Sequence, residues 1–172
     1  SRDPDNAEAH LRLGMSYAAL DKKTESDDEY KKAIELFKKR IQADSKDGEA
    51  FFYLGEAHSF LHQDEEAARS YRQATRLKSD DEEAFYQLGM AETRLAHYPE
   101  AMTAFQKALE LDPKEEQAAL GLGWAYMTSQ KYDDSIAAYN KAVQIEPKLA
   151  GDAYVGISWC YLYKKDVAEA KA

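Results

Sequence analysis

Small and apolar residues recur along this chain at helical spacing, stop, and start again. In the stretch from Ala84 to Pro113, AFYQLGMAETRLAHYPEAMTAFQKALELDP, Ala84, Leu88, Gly89 and Ala91 fall on one helical face. Glu83, Tyr86 and Met90 follow a second stripe on the same segment, so this helix has two surfaces to cover. A second helical pattern follows Pro99, with Ala101, Phe105 and Ala108 on its inner side, and Pro113 closes it. The spacing therefore predicts a pair of short helices, A then B, folded against each other.

The pair repeats. Gly55, Gly89 and Gly123 stand 34 residues apart, as do Tyr71, Phe105 and Tyr139, Ala74, Ala108 and Ala142, and Ser79, Pro113 and Pro147. Four series in one register predict an all-α solenoid in which each hairpin buries its apolar side against its neighbours. The expected organisation is one elongated domain over 1–172, with repeats at 7–47, 48–81, 82–115 and 116–149 and a partial fifth at 150–172. Asp3 to Asn6 resemble a closing turn, and the fifth unit stops just after Ala170 with its second helix cut off, so the chain reads as a fragment of a longer array or as ending in a disordered tail.

The first unit is irregular. Gly14 precedes Gly55 by 41 residues, yet Ala33 and Phe37 precede Ala67 and Tyr71 by the usual 34. The extra seven residues are expected near 21–28, at the turn between the helices, as a loop tip or an added helical turn, with Ser26 and Glu29 forming a capping box. Acidic clusters at Asp64 to Glu66, Asp80 to Glu83, Glu115 to Glu116 and Asp133 to Asp134 are read as helix starts, where negative charge suits the helix dipole.

A formal charge of −9 and a pI near 5.0 disfavour a nucleic-acid partner, whose binding rests on clustered Lys and Arg, and favour a basic peptide or protein. No apolar run approaches the ~18 residues of a spanning helix and no secretory leader pattern is present. Direct membrane insertion is therefore not expected, and a soluble protein in a cytoplasmic setting is favoured. Cys160, the single cysteine, lies among Trp159, Tyr161 and Leu162 and reads as a small buried hydrophobe.

These landmarks resemble the tetratricopeptide repeat over essentially the whole chain. Counted from each unit's start, position 8 is Gly14, Gly55, Gly89, Gly123 and Ser158; position 20 is Ala33, Ala67, Ala101, Ser135 and Ala170; position 24 is Phe37, Tyr71, Phe105 and Tyr139. Departures are Arg40 in place of alanine at position 27 and Glu92 where Tyr17 and Tyr126 stand. The resemblance implies a right-handed superhelix with A helices lining a concave face that binds peptides or partner domains.

On that face the A-helix stripe predicts a trough. Its floor is read as Leu11, Met15, Phe52, Glu56, Tyr86, Met90, Arg94, Leu120, Trp124, Met127, Val155, Trp159 and Leu162. Glu8, Glu49, Glu83 and Asp152 form an acidic rim. Aromatic and methionine side chains in such a trough suit an apolar or amphipathic, somewhat basic segment. A carboxylate clamp of Lys, Asn and Arg, known in one branch of the family, is not matched. Leu11, Met15, Tyr53, Glu83 and Gln87 occupy those places, and Arg12 and Arg94 are single cations.

No cofactor, metal or catalytic constellation is expected. His58 and His62 share the i, i+4 spacing of a ligand pair, but His58 takes the place of Tyr17 and Tyr126, and His62 falls at a turn. The preferred reading is a non-enzymatic binding module for a protein or peptide. Self-association as a scaffold and service as the regulatory arm of a larger enzyme are the alternatives.

Overall fold

The structure, a computed structural model, describes residues 6–170, with side chains described to residue 165. The turn expected from Asp3 therefore lies, apart from Asn6, outside the described residues, as does the Ala170 side chain. Contacts divide the chain into two compact units, one ending at Asp80 and one beginning at Asp81.

The first unit contains α1 (Ala7–Ala19), α2 (Lys23–Ala43), α3 (Gly48–Phe60) and α4 (Asp64–Leu77). Asn6 caps α1 by accepting from the Ala9 amide at 2.9 Å, and Asp47 caps α3 through the Ala50 amide at 2.9 Å. The second unit contains α5 (Glu82–Arg94), α6 (Tyr98–Leu111), α7 (Glu116–Thr128), α8 (Tyr132–Ile145), a 3-10 turn at Pro147–Leu149, and α9 (Ala150–Ala170). Asp81 caps α5 through the Ala84 amide at 3.0 Å, and Pro99 sits in the first turn of α6. The acidic clusters do lie in first turns, at α4, α5, α7 and α8.

Four hairpins turn in the same way. Each A helix ends in a residue of left-handed conformation, Asp21, His62, Ala96 or Gln130, with φ between 55 and 61°. The following amide donates five residues back, Lys22 to Tyr17, Gln63 to His58, His97 to Glu92 and Lys131 to Tyr126, at 2.9–3.0 Å. This is the Schellman closure, which satisfies carbonyls that the helix end leaves open. The side chains of the same residue pairs also meet. Lys22 lies over Tyr17 and Lys131 over Tyr126, with the ammonium 5.7 and 5.8 Å from the ring centre. His58 Nδ1 donates to Gln63 at 2.6 Å, and His97 Nδ1 donates to Glu92 at 3.0 Å. Glu92, though only 1% exposed, is thus tolerated in a tyrosine's place because the turn supplies a donor.

Between helices, aromatic rings fill the room left by missing side chains. A Cβ built on Gly55 would stand 2.7 Å from the Tyr71 ring. In the second unit one ring serves two A helices. A Cβ at Gly89 or at Gly121 would lie 2.6 Å from Phe105, and one at Gly123 or Gly156 would lie 2.7 or 2.5 Å from Tyr139. Burial pushes the Tyr139 phenol up to about 12.

Three expectations are corrected. The turn after α1 has the same form as the others, so the extra seven residues are not a loop tip at that turn; they take the other expected form, added helix, and lengthen α2 to 21 residues, against 14 in α4, α6 and α8. Ser26 and Glu29 then lie inside α2 rather than at its start, and no capping box forms. Glu29 instead meets His10 at 2.5 Å and Lys32 at 2.7 Å. Finally, α9 runs without a break through the place where the fifth hairpin was expected to turn.

Candidate partner-binding surface

In the second unit, Tyr86 and Met90 from α5 face Leu120 and Trp124 from α7 across an open cleft of about 370 Å³, with Gln117 and Asp152 at its edge. The 3.6-residue period brings Tyr86 to Met90 and Leu120 to Trp124 on one face of their helices. The floor is formed by Gly121, which the sequence reading did not single out, together with the rings of Phe105 and Tyr139. Glycine there leaves ring surface uncovered. Its signal in the sequence was Gly121 and Gly156 at equivalent places of successive units. Trp124 is 38% exposed and packs edge-on to Tyr98 at 5.5 Å between ring centres. Thr93 lines the same cleft, and its buried hydroxyl has no hydrogen-bond partner among the described residues.

Carboxylates act on Tyr86 at one side of this cleft. Burial, followed by repulsion from Glu116 and Glu83, raises the Glu115 carboxyl above its ordinary value. Burial and then Glu115, Glu83 and Glu116 likewise raise the Tyr86 phenol. Glu115 and Glu116 thus act on Tyr86 from the start of α7.

Val155, Trp159 and Leu162 share the face of α9 that carries Asp152, and all three are exposed. Trp159 stacks on Tyr163 at 5.7 Å. Met127 is half-buried against the cluster of Tyr139, Ala153 and Cys160, and Arg94 is exposed at the end of α5.

The first unit differs. Leu11, expected in the trough, is 3% exposed and packs with Ala33, Ile34 and Phe37, so it belongs to the core. Met15 is exposed, while Phe52 and Glu56 are half-buried, Phe52 lying against Tyr71 at 5.7 Å. The rim carboxylates here are occupied. Arg40 donates to Glu8 at 3.0 Å and to Asp47 at 2.9 Å, and lies 3.5 Å from Glu49. His58 is buried, and burial lowers its pKa, with the Lys38 and Arg69 charges adding to the shift. Among the described residues no group of three or more candidate ligands is placed to hold a metal, and no helix is long and apolar enough to cross a membrane.

Repeat spacing, paired helices and the glycine–aromatic contacts agree with a family-level comparison. The tetratricopeptide-repeat family matches over 7–40, 62–116, 86–150 and 120–171, and the chain belongs to that family. The crystal structure of MamA protein is 26% identical over 95% of this chain and 85% of that one, with a TM-score of 0.79. YrrB, described as a TPR protein with an unusual peptide-binding site, is 21% identical over 95% and 80%, with a TM-score of 0.67. The TPR2B domain of yeast Sti1, solved as a pHsp70 complex, is 16% identical over 67% and 97%, with a TM-score of 0.63. No curated protein sequence matches the chain.

Proposed function

We propose that this chain is a non-catalytic interaction module that holds an apolar or amphipathic, partly basic segment of a protein partner in the cleft between α5 and α7. The observation that carries the reading is the cleft itself: Tyr86, Met90, Leu120 and Trp124 leave apolar surface open, and the charges of Glu115, Glu83 and Glu116 act on its Tyr86. Burying an aromatic or aliphatic anchor there removes that surface from water. A Lys or Arg next to the anchor relieves the repulsion around Glu115. The peptide-binding site described for YrrB and the Sti1–pHsp70 complex support the same use of the fold.

Selection from a displayed random peptide library tests this. Enriched peptides are expected to pair an apolar anchor with Lys or Arg and to lose binding to Trp124→Ala. Peptides that bind this variant equally well would place the site elsewhere. A second reading, self-association, draws on the outer side of α9, where Tyr154 and Tyr161 are more than half exposed. Light scattering over a concentration series decides it.

A further inference from the structure

A pocket of about 350 Å³ in the first unit is lined from three helices. Phe51 and Leu54 of α3 give it an apolar floor, and His58, one turn further on, lies beside them. Glu66 and Arg69 stand on the same face of α4, and Lys38 joins them from α2.

Two of these residues set the pocket apart from its counterparts along the chain. Lys38 stands where Gln106 stands two repeats on, and His58 where Tyr126 stands. There Gln106 donates to the Tyr126 hydroxyl at 2.6 Å, which ties the two helices together across the corresponding space. In the first unit that tie is missing. His58 gives its Nδ1 proton to Gln63 at 2.6 Å, and among the described residues the Lys38 ammonium makes neither a hydrogen bond nor an ion pair. The Arg69 guanidinium, in a place held by Thr103 and Ala137 in the next two repeats, is likewise unpaired among the described residues.

Both charges act on the interior of the pocket. Burial lowers the His58 pKa and the Gln63 bond opposes it; Lys38 and Arg69 then lower it further, against Glu66. The imidazole is therefore neutral at neutral pH, which leaves two cations facing the single carboxylate of Glu66. In a chain of formal charge −9, a hollow with that balance attracts an anion. One negative charge matches it. A phosphate group carries nearly twice that charge, exceeds the balance and meets stronger repulsion from Glu66.

We propose that this pocket is a second binding site, which takes a carboxylate carried on an apolar stem of a protein or peptide partner. The Lys38 ammonium and the Arg69 guanidinium hold the oxygens, and the stem covers Phe51 and Leu54. The site differs from the clamp of Lys, Asn and Arg, whose places hold Leu11, Met15, Tyr53, Glu83 and Gln87. Its preference for acid is the opposite of that of the α5–α7 cleft, so the two readings stand or fall separately.

The test uses the full chain with phenylacetate as the probe, followed on the His58 ring by nuclear magnetic resonance. A saturable shift is expected, with a dissociation constant on the order of millimolar for so small a molecule. The His58 titration midpoint should rise, because the bound anion offsets the two cations. Lys38→Gln combined with Arg69→Gln should weaken binding by roughly tenfold and abolish that rise. Both side chains are exposed, so the fold should survive. Lys39→Gln, exposed on α2 outside the pocket, should bind as the unaltered chain does. N-acetylphenylalanine offers a chain-terminal carboxylate and N-acetyl-Asp-Phe-amide a side-chain one, and the tighter of the two names the source a partner uses. Equal shifts from the neutral phenylacetamide overturn the proposal. So does inorganic phosphate binding as tightly as phenylacetate, or a double variant that keeps its affinity.

Discussion

The ring of Phe105 occupies the space that a side chain on Gly89 would need. A Cβ there would come within 2.6 Å of the ring, which is itself fully enclosed and also abuts Gly121. Neither neighbour has room to yield. Gly89→Ala is therefore expected to destabilise the protein by about 1–3 kcal/mol, the usual range for overpacking. Gly151→Ala is the control. It lies in the first turn of α9 with no atom within 4 Å of the added carbon, and should be neutral or stabilising by up to about 1 kcal/mol. Urea midpoints for the two variants should move in opposite directions or, at the least, only the first should fall.

Ala96 closes the α5–α6 hairpin at φ 60°, donating its amide to Thr93 at 3.0 Å. A Cβ in that conformation crowds the backbone, at a cost of about 1 kcal/mol or more, whereas glycine adopts it freely. Ala96→Gly should accordingly raise stability by roughly 0.5–1 kcal/mol despite the greater freedom glycine gives the unfolded chain. A lowered melting temperature would show that the methyl group contributes contacts outweighing the strain.

Trp124→Ala should weaken binding of a library-selected peptide by about 2 kcal/mol or more, the cost of truncating an aromatic anchor. The helical circular-dichroism signal should stay nearly constant, because the indole is one-third exposed. Unchanged affinity with a large loss of thermal stability would assign the indole to the core instead.

Acid should act on the two units in opposite senses. For Asp47, burial raises the carboxyl pKa, but the Ala50 amide and Arg40 outweigh it and hold the value below 3.8. A depressed folded value means stability that is present above pH 3.8 and lost as pH falls through the folded pKa. Arg40→Ala should reduce that loss, read as a shallower fall of melting temperature below pH 4. Glu115 has a raised folded value relative to 4.5, so its contribution is favourable at low pH and is lost as pH rises through the folded pKa. Selected basic peptides should therefore bind less tightly as pH approaches 4.5 from neutrality and Glu115 takes up its proton.

Spacing alone located the hairpins of the second unit because each had one glycine and one aromatic ring 16 residues on, Gly89 with Phe105 and Gly123 with Tyr139. The same rule pairs Gly14 with Tyr30 and Gly55 with Tyr71 in the first unit. Aligning α2 on Ala33 and Phe37 instead, which keep the 34-residue distance to the next repeat, hid the Tyr30 contact and put the extra residues at the turn. Arg40 departs from the repeat pattern in sequence, and its fit depends on carboxylates from two other segments, Glu8 of α1 and Asp47 with Glu49 at the start of α3. Tyr86, Met90, Leu120 and Trp124 were legible as a stripe. Leu11 was not separable from them, since its periodicity matches while its neighbours in space do not.

Cys160 makes α9 measurable by itself. The thiol is wholly enclosed and donates to the Ser135 hydroxyl at 3.1 Å, which in turn donates to the Gly123 carbonyl at 2.7 Å, linking α9 to α8 and α7. A thiol reagent can reach the sulfur only when α9 lifts from that seat, and the chain has no other cysteine to react. When closing is fast relative to the chemistry, the labelling rate reports the equilibrium for that one opening. The unmodified protein thus carries its own clock for the undocking of its last described helix.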